Sequence, residues 1–272
     1  MKTIIVATDF SSSALNAAKY AVEMAQLIKA DILLFNVYEV VPNYGEIIID
    51  LNVEDLKRLS EVDMVTFKNE LIKVTNSQIN ITTEVRLGLF IDEINSICER
   101  VNPYTLIIGS QGKTRVERII FGGHTGIVLK DFKWPLITIP ITANFRSIKN
   151  IGIAYDFQNE IHEDLLAEIK LLANDFNANI HILNAAKEDE FNGNFVLLST
   201  RLQKMLAPNV VNFHFVAGEQ INENIIDYVE KSNIDLLIVM PKHRNLWEKL
   251  VGRSHTKQMV LHSLVPVLSL KK

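Results

Sequence analysis

The sequence contains the same pattern twice, and this duplication limits the possible folds more than any other feature. Residues 150–157 (NIGIAYDF) repeat residues 3–10 (TIIVATDF). Farther along, a constant shift of 131 positions pairs Ile108 with Val239, and the match continues without a gap for about 30 residues. A match of this length is hard to obtain by chance, so the chain is a duplication of one domain.

The length of the chain suits two domains of ordinary size. Single cores usually stop growing at about 250 to 300 residues, and the chain has 272. The repeats divide it into halves of similar length with a linker near residues 142–149. We therefore predict one domain at residues 1–145 and a second at residues 146–272.

Short apolar runs alternate with helical patterns in the first half. Residues 3–7 are apolar and mostly β-branched, as in a strand that is buried on both faces of a parallel sheet. Strictly alternating strands and helices predict an α/β fold with a doubly wound, mainly parallel sheet. We predict strands at residues 3–7, 32–38, 79–86, 105–109 and 135–140, and helices at 11–29, 52–75, 91–100 and 123–130, with an irregular stretch at 42–50.

Composition and charge exclude several classes of protein. A net charge of -4 and a pI near 6.0 give no general attraction for nucleic acid or an anionic membrane. The N-terminal apolar run is too short for a signal peptide, and no run approaches the roughly 18 residues of a membrane span. The single Cys98 lies in a helical pattern, where a small buried residue is expected. We expect a cytoplasmic protein in which any anion site is local.

One segment of the first half is both cationic and rich in glycine. Gly109 ends the fourth predicted strand, Gly112 follows it, and Gly122 and Gly123 open a predicted helix, with three basic side chains in between. Glycine permits positive φ and lets a phosphate reach backbone N–H groups without meeting a Cβ. A helix start adds free N–H groups and the positive end of its dipole, and the Thr125 hydroxyl adds a donor. The segment predicts a phosphate-binding site.

Two common phosphate-binding motifs do not fit this segment. A Walker A loop needs four residues between its first glycine and the Gly-Lys pair. Only Ser110 and Gln111 separate Gly109 from Gly112. A dinucleotide fingerprint needs G-x-G-x-x-G after the first strand, where this chain has TDFSSSA. Neither motif is present.

The spacing G-x2-G-x9-G at Gly109, Gly112 and Gly122 resembles the ATP-binding signature of the universal stress protein family. The signature continues with Ser or Thr, and this chain has Gly123 there, which removes a hydroxyl contact but keeps the backbone donors. The resemblance occurs once in each half, so that it covers nearly the whole chain. It implies Rossmann-like sheets of strand order 3-2-1-4-5. It also implies ATP, with Mg2+, bound in the first domain by Ala7, Thr8, Asp9, Val37, Ile108, Gly109, Gly112, Gly122, Gly123, His124 and Thr125.

The resemblance also implies a separate role for some of these residues. Carried over from the family, residues 7–9 would contact the adenosine part, and Val37 would lie against the adenine. The ends of the first and fourth strands would meet at the switch point of the sheet, where α/β proteins usually bind ligands.

The second half lacks the glycines. By the same shift, Met240, His243 and Arg253 replace the three glycines of the signature, although Asp156 still repeats Asp9. A side chain then stands wherever the backbone would approach a phosphate. Basic side chains in this loop could hold an anion themselves, but a charged loop is more often simply solvated. We therefore expect ATP binding in the first domain alone.

Several of these residues also have simpler explanations. Asp9 precedes a helical pattern, so its carboxylate could do no more than cap that helix. The serines at residues 11–13 lack the signature of a nucleophile elbow and are expected to cap the helix. His124 and His255 have no second ligand at metal-binding spacing, so no metal site is predicted.

The leading hypothesis is an intracellular stress-response protein whose first domain binds ATP as a nucleotide-dependent regulatory module. No paired carboxylates, activated nucleophile or general base can be identified, so at most slow ATP hydrolysis is expected. The alternative is a ligand-free scaffold or protein-interaction module whose glycines serve only a tight turn. An adenylating enzyme would need a substrate pocket, and no residues mark one.

The last strands of the two halves are also expected to pair. In single-domain relatives of the family the last strand often mediates dimerisation. Residues 136–139 and 265–270 would then pair within one chain and make it an intramolecular pseudo-dimer, with a homodimer as a further option. The sequence does not indicate the stress signal or the protein partners.

Overall fold

The structure is a computed structural model that describes most of the chain in eight segments. Within them the chain forms two compact units, Met1–Trp134 and Pro135–Lys272. Among the described helices, none is long and apolar enough to cross a membrane. The described segments are residues 2–39, 52–74, 79–110, 132–155, 161–184, 193–216, 221–240 and 263–271.

The first unit contains a parallel sheet with helices between its strands. β1 lies between β2 and β4, and β2 pairs with β3 on its other side, so the order is β3-β2-β1-β4. Ile4, Ile5 and Val6 of β1 are fully buried, which confirms the prediction of a strand covered on both faces. The strands are β1 (Lys2–Ala7), β2 (Ala30–Tyr38), β3 (Ile81–Leu87) and β4 (Thr105–Gly109), and the helices are α1 (Ser12–Ile28), α2 (Val53–Ile72) and α3 (Phe90–Val101).

The second unit repeats this arrangement and completes it. Its parallel strands run in the order β8-β7-β6-β9-β10, which is the predicted order 3-2-1-4-5. Its strands are β5 (Leu136–Ile139), β6 (Asn150–Ala154), β7 (Asn179–Asn184), β8 (Val211–Phe215), β9 (Leu236–Val239) and β10 (Val267–Ser269), and its helices are α4 (Glu163–Phe176), α5 (Gly193–Leu206) and α6 (Ile221–Lys231).

The strand β5 belongs to the second unit although it follows the first half of the sequence. It pairs antiparallel with β10, with Ile137 opposite Leu268. The Thr138 hydroxyl adds a bond of 3.2 Å to the carbonyl of Val267. The expected pairing of the two last strands is therefore present within one chain.

Helix ends show the duplication in backbone geometry. α1 ends at Lys29 and α4 ends at Asn177, both in the left-handed conformation, with φ of 54° and 50°. Asn102 ends α3 with φ of 46°, and Asn233 near the end of α6 has φ of 53°. Such left-handed residues stop a helix by satisfying its last carbonyl groups. The chain therefore stops equivalent helices in the same way in both units.

The predicted elements agree with those observed wherever the structure describes them. The helix predicted at residues 123–130 and the irregular stretch at 42–50 lie outside the described residues. Cys98 is fully buried on α3, as expected, and burial raises the pKa of its thiol to about 12. A thiol with so high a pKa stays protonated and acts as a small apolar residue.

Candidate functional site

The turn between β1 and α1 is held in shape by its own side chains. The Thr8 hydroxyl accepts a bond from the backbone N–H of Phe10 at 2.9 Å, and an Asp9 carboxylate oxygen accepts one from the N–H of Ser11 at 3.1 Å. Phe10 has φ of 62°, which is uncommon for a residue with a side chain. Its ring packs edge-on against Phe67 of α2, with centroids 5.9 Å apart. The carboxylate of Asp9 is thus fixed at the end of β1.

Ser11, and not Asp9, caps the helix that follows. The Ser11 hydroxyl accepts a bond of 3.2 Å from the N–H of Ala14, and Ser11 has the extended backbone of an N-cap residue. This confirms the capping task predicted for the serines. The simple explanation of Asp9 as the helix cap is wrong, because Asp9 lies two residues before the cap and binds the N–H of Ser11. The first turn of α1 contains no acidic residue.

Asn36 at the end of β2 ties this turn to the neighbouring strand. Its side-chain amide donates a bond of 2.8 Å to the carbonyl of Thr8, and the Thr8 N–H binds the carbonyl of Phe35 at 2.9 Å. Asn36 is 6% exposed, and its Oδ1 atom is buried without a hydrogen-bond partner. Sequence reasoning missed this residue. The missed signal was its repetition, because Asn184 ends β7 in the second unit and is also buried.

Gly109 is required by packing at the end of β4. A Cβ placed there would lie 2.8 Å from the carbonyl oxygen of Ser13, a distance that real Cβ atoms essentially never show. Ser13, in the first turn of α1, is itself buried. Only glycine therefore lets the start of α1 approach the end of β4 this closely.

The second unit changes this contact at both partners. Met240 occupies the place of Gly109, and α4 has 14 residues where α1 has 17. Because α1 and α4 end at equivalent left-handed residues, α4 begins about one turn later. Both partners of the contact therefore differ between the two units.

The described part of the predicted site lies where three strands end side by side. β1 runs between β2 and β4, with Ala7 opposite Phe35 and Val6 opposite Ile107. Ala7 and Ile108 are 3% and 2% exposed, so both residues belong to the core beneath the strand ends. This arrangement brings together Ala7, Thr8, Asp9, Val37, Ile108 and Gly109, which we call the strand-end site.

Five other predicted site residues lie outside the described residues: Gly112, Gly122, Gly123, His124 and Thr125. Within the strand-end site Val37 and Asp9 are half-buried, so an apolar side chain and a carboxylate remain accessible beside the backbone of β1 and β4. The described segments hold no group of three or more His, Cys, Asp or Glu side chains arranged to bind a metal ion.

Fold and site together define a class: a tandem, doubly wound α/β protein with a switch point beside the β1 turn of its first unit. Comparison with known families agrees with this class and narrows it. The model of the universal stress protein family matches residues 1–140 and again residues 147–271. The chain belongs to the universal stress protein family.

Individual relatives agree with this assignment. A universal stress protein of Methanocaldococcus jannaschii is 28% identical over 145 residues, which cover 51% of this chain and 81% of the relative. The crystal structure of a universal stress protein from Archaeoglobus fulgidus has a TM-score of 0.73 at 17% identity and covers 99% of this chain and 96% of its own. A structure from Pseudomonas aeruginosa has a TM-score of 0.61 at 14% identity and covers 100% and 93%. Both structures support the fold of the whole chain.

Proposed function

We propose that the first unit binds ATP, with Mg2+, and that the protein acts as a nucleotide-dependent regulatory module in a stress response. One observation carries the proposal: the turn that fixes Asp9 follows β1 at the switch point of the sheet, and β1 pairs with β4, at whose end the G-x2-G-x9-G sequence starts. Ligands of doubly wound sheets usually bind in the crevice at such a point.

The strand-end site suits the adenosine part of the nucleotide. A carboxylate accepts hydrogen bonds, and ribose hydroxyls donate them, so the half-buried Asp9 at the end of β1 is suited to hold the sugar. Val37 is half-buried and offers an apolar surface of the kind that a flat base covers. Ala7, Thr8 and Ile108 are buried and would form the floor of the site.

The phosphates of the nucleotide would be bound by the residues that follow β4. Gly112, Gly122 and Gly123 would offer backbone N–H groups, and His124 and Thr125 would follow at the start of a helix. Mg2+ usually binds proteins through substrate phosphates and water with few carboxylates. The bound ion would neutralise phosphate charge, and no cluster of acidic residues is needed for it.

The same argument restricts binding to the first unit. Met240, His243 and Arg253 replace the three glycines of the signature. The second unit keeps Asp156 but not the glycine spacing. We therefore propose one nucleotide for each chain.

A ligand-free scaffold is the second candidate, and one contact favours it. The packing of Gly109 against Ser13 explains this glycine without any nucleotide. The two candidate functions differ in the role of Gly112, because only nucleotide binding requires the backbone of this residue to approach a phosphate.

We also propose a cytoplasmic location, no binding to nucleic acid or membrane, and at most slow ATP hydrolysis. The chain would form an intramolecular pseudo-dimer that is able to form a homodimer.

The role of Asp9 provides a test of the proposed function. In a thermal unfolding experiment, a saturating concentration of Mg-ATP should raise the midpoint of the wild-type protein, because a ligand at about 100 times its Kd stabilises by about 2.7 kcal/mol. Asp9→Asn should lose most of this rise, and Asp156→Asn, its matched control in the second unit, should keep it. An equal rise of the unfolding midpoint in all three proteins would exclude Asp9 from the site. If Asp9→Ala still bound ATP but lost a measured ATP hydrolysis, Asp9 would be a catalytic residue.

A further inference from the structure

Two histidines on neighbouring strands of the second unit are hydrogen-bonded to each other. His181 lies on β7 and His214 lies on the edge strand β8, where His214 is opposite Leu183. The Nδ1 atom of His181 is 3.0 Å from the Nε2 atom of His214. The ring centroids are 5.1 Å apart and the planes differ by only 15°. Because the nitrogen atoms are much closer than the centroids, the rings meet edge to edge in a hydrogen bond and do not stack face to face.

The surroundings of His181 determine which nitrogen atoms carry protons. The side-chain amide of Asn150 donates to the carbonyl of Asn233 at 3.1 Å, so its Oδ1 atom is the one near His181 Nε2, at 3.3 Å. An amide oxygen only accepts, so His181 Nε2 must carry the hydrogen. The neutral His181 ring then has a bare Nδ1, and His214 Nε2 donates to it. This leaves His214 Nδ1 as the second bare nitrogen of the histidine pair, His181 and His214.

The other groups around the pair do not compensate for added positive charge. On α6 the Tyr228 ring lies 5.1 Å from the His214 ring, centroid to centroid. Asp227 and Lys231 of the same helix pair with each other on its exposed side. The Asp235 carboxylate, after α6, accepts bonds from the backbone N–H groups of residues 149 and 150. The side-chain amide of Asn179 approaches the Asn150 oxygen at 3.5 Å. Among the described residues, neither histidine ring contacts a carboxylate.

We propose that the histidine pair is a proton-sensitive latch between β7 and the edge of the second unit. A first proton fits on His214 Nδ1, because His214 still donates from Nε2 to its neighbour. A second proton on His181 Nδ1 places two N–H donors against each other and breaks the bond. Acidification therefore separates the rings and loosens β8 together with the contact of His214 to α6.

The direction of the pH dependence follows from the two sites. Burial lowers the pKa of both rings below the ordinary value of 6.5, and the charge on His214 lowers the pKa of His181 further. The unfolded chain then binds more protons than the folded one as the pH falls below about 7. The pair contributes no pH dependence well above that pH, and stability falls as the pH drops through 6.5 toward the folded pKa values.

The first unit supplies a natural comparison for this latch. His181 lies three residues before Asn184, and Leu33 lies three residues before Asn36, at the equivalent place of β2. Leu33 is buried in the first unit. His181→Leu therefore removes the latch with a side chain that the fold already accepts at this position.

The experiment compares urea unfolding of the whole chain at pH 5, 6, 7 and 8. On acidification, the unfolding equilibrium constant of the wild type should rise more than that of His181→Leu. The difference should be about tenfold for each unit by which folding lowers the pKa of the histidine pair. His162→Gln is the matched control, because His162 is exposed and makes no capping bond. Its unfolding should have the same pH dependence as that of the wild type. If the unfolding of His181→Leu also has the pH dependence of the wild type, the latch proposal is wrong.

Nuclear magnetic resonance of the histidine rings gives a second test that does not depend on unfolding. Long-range proton–nitrogen spectra should show the Nε2–H form of both rings at pH 8 and protonation of His214 before His181. His214→Gln keeps a donor but cannot take up a proton, so it should raise the pKa of His181. An Nδ1–H form of His181, or two rings that titrate independently near 6.5, would refute the proposal.

Discussion

At the scale of single residues, the strand-end site is organised by packing and by hydrogen bonds within the turn. Gly109 and Ser13 bring β4 against the start of α1, and Asn36 holds the carbonyl of Thr8. None of these contacts requires a nucleotide. The strand end is therefore a feature of the fold, and its packing role can be separated by mutation from the binding role that we propose for Asp9.

Gly109→Ala tests the packing role. The added methyl group would meet the Ser13 backbone, so we expect a loss of about 1–3 kcal/mol in the free energy of unfolding, measured in urea. Ser13→Ala should restore only part of the loss, because the carbonyl oxygen of residue 13 remains in place. Met240→Ala is the control in the second unit and introduces no clash. A Gly109→Ala protein as stable as the wild type would contradict the packing account.

Residue identity alone predicted some of these roles and missed others. Ser11 and Cys98 were predictable, because a serine before a helical pattern caps it and a lone cysteine on an apolar face is buried. The partners of Asn36 and of the histidine pair were not predictable, since a polar residue inside an apolar strand has no visible partner in the sequence, although the repetition of Asn36 as Asn184 marks the position. Their partners lie 28 and 33 residues away and meet them only through strand register.

At the scale of elements, most strands and helices were predictable from the alternation of apolar runs and helical patterns. β1 and β4 agree with the sequence pattern because buried parallel strands are short and continuously apolar. The membership of β5 in the second unit was not apparent from chain order. It is determined by the register of Ile137 with Leu268, 131 residues apart, and this register depends on tertiary structure.

Fragments of the second half test this membership. A fragment of residues 135–272 retains β5, whereas a fragment of residues 146–272, which begins at the predicted start of the second domain, leaves the edge of β10 uncovered. An open strand edge promotes pairing with other chains. We expect the longer fragment to be more stable to urea than the shorter one, and the shorter one to self-associate more strongly in size-exclusion chromatography. Equal behaviour of the two fragments would show that β5 is dispensable to the second unit.

At the scale of the whole molecule, duplication has produced two units with the same strand order and different strand-end chemistry. The first unit combines glycine at the end of β4 with a long α1, and the second combines methionine with a shorter α4. The second unit also carries the histidine pair where the first has Leu33. We infer that the first unit responds to a nucleotide and the second to protons.

The measurement that tests the central claim most directly is isothermal titration of the full chain with Mg-ATP. The account predicts one equivalent bound to the wild type and no binding to Gly112→Val, because a Cβ at that position blocks the backbone approach of a phosphate. His243→Val, the equivalent change in the second unit, should bind like the wild type. Binding unchanged in Gly112→Val, or a folded wild type that binds no ATP, would contradict the account and favour the scaffold.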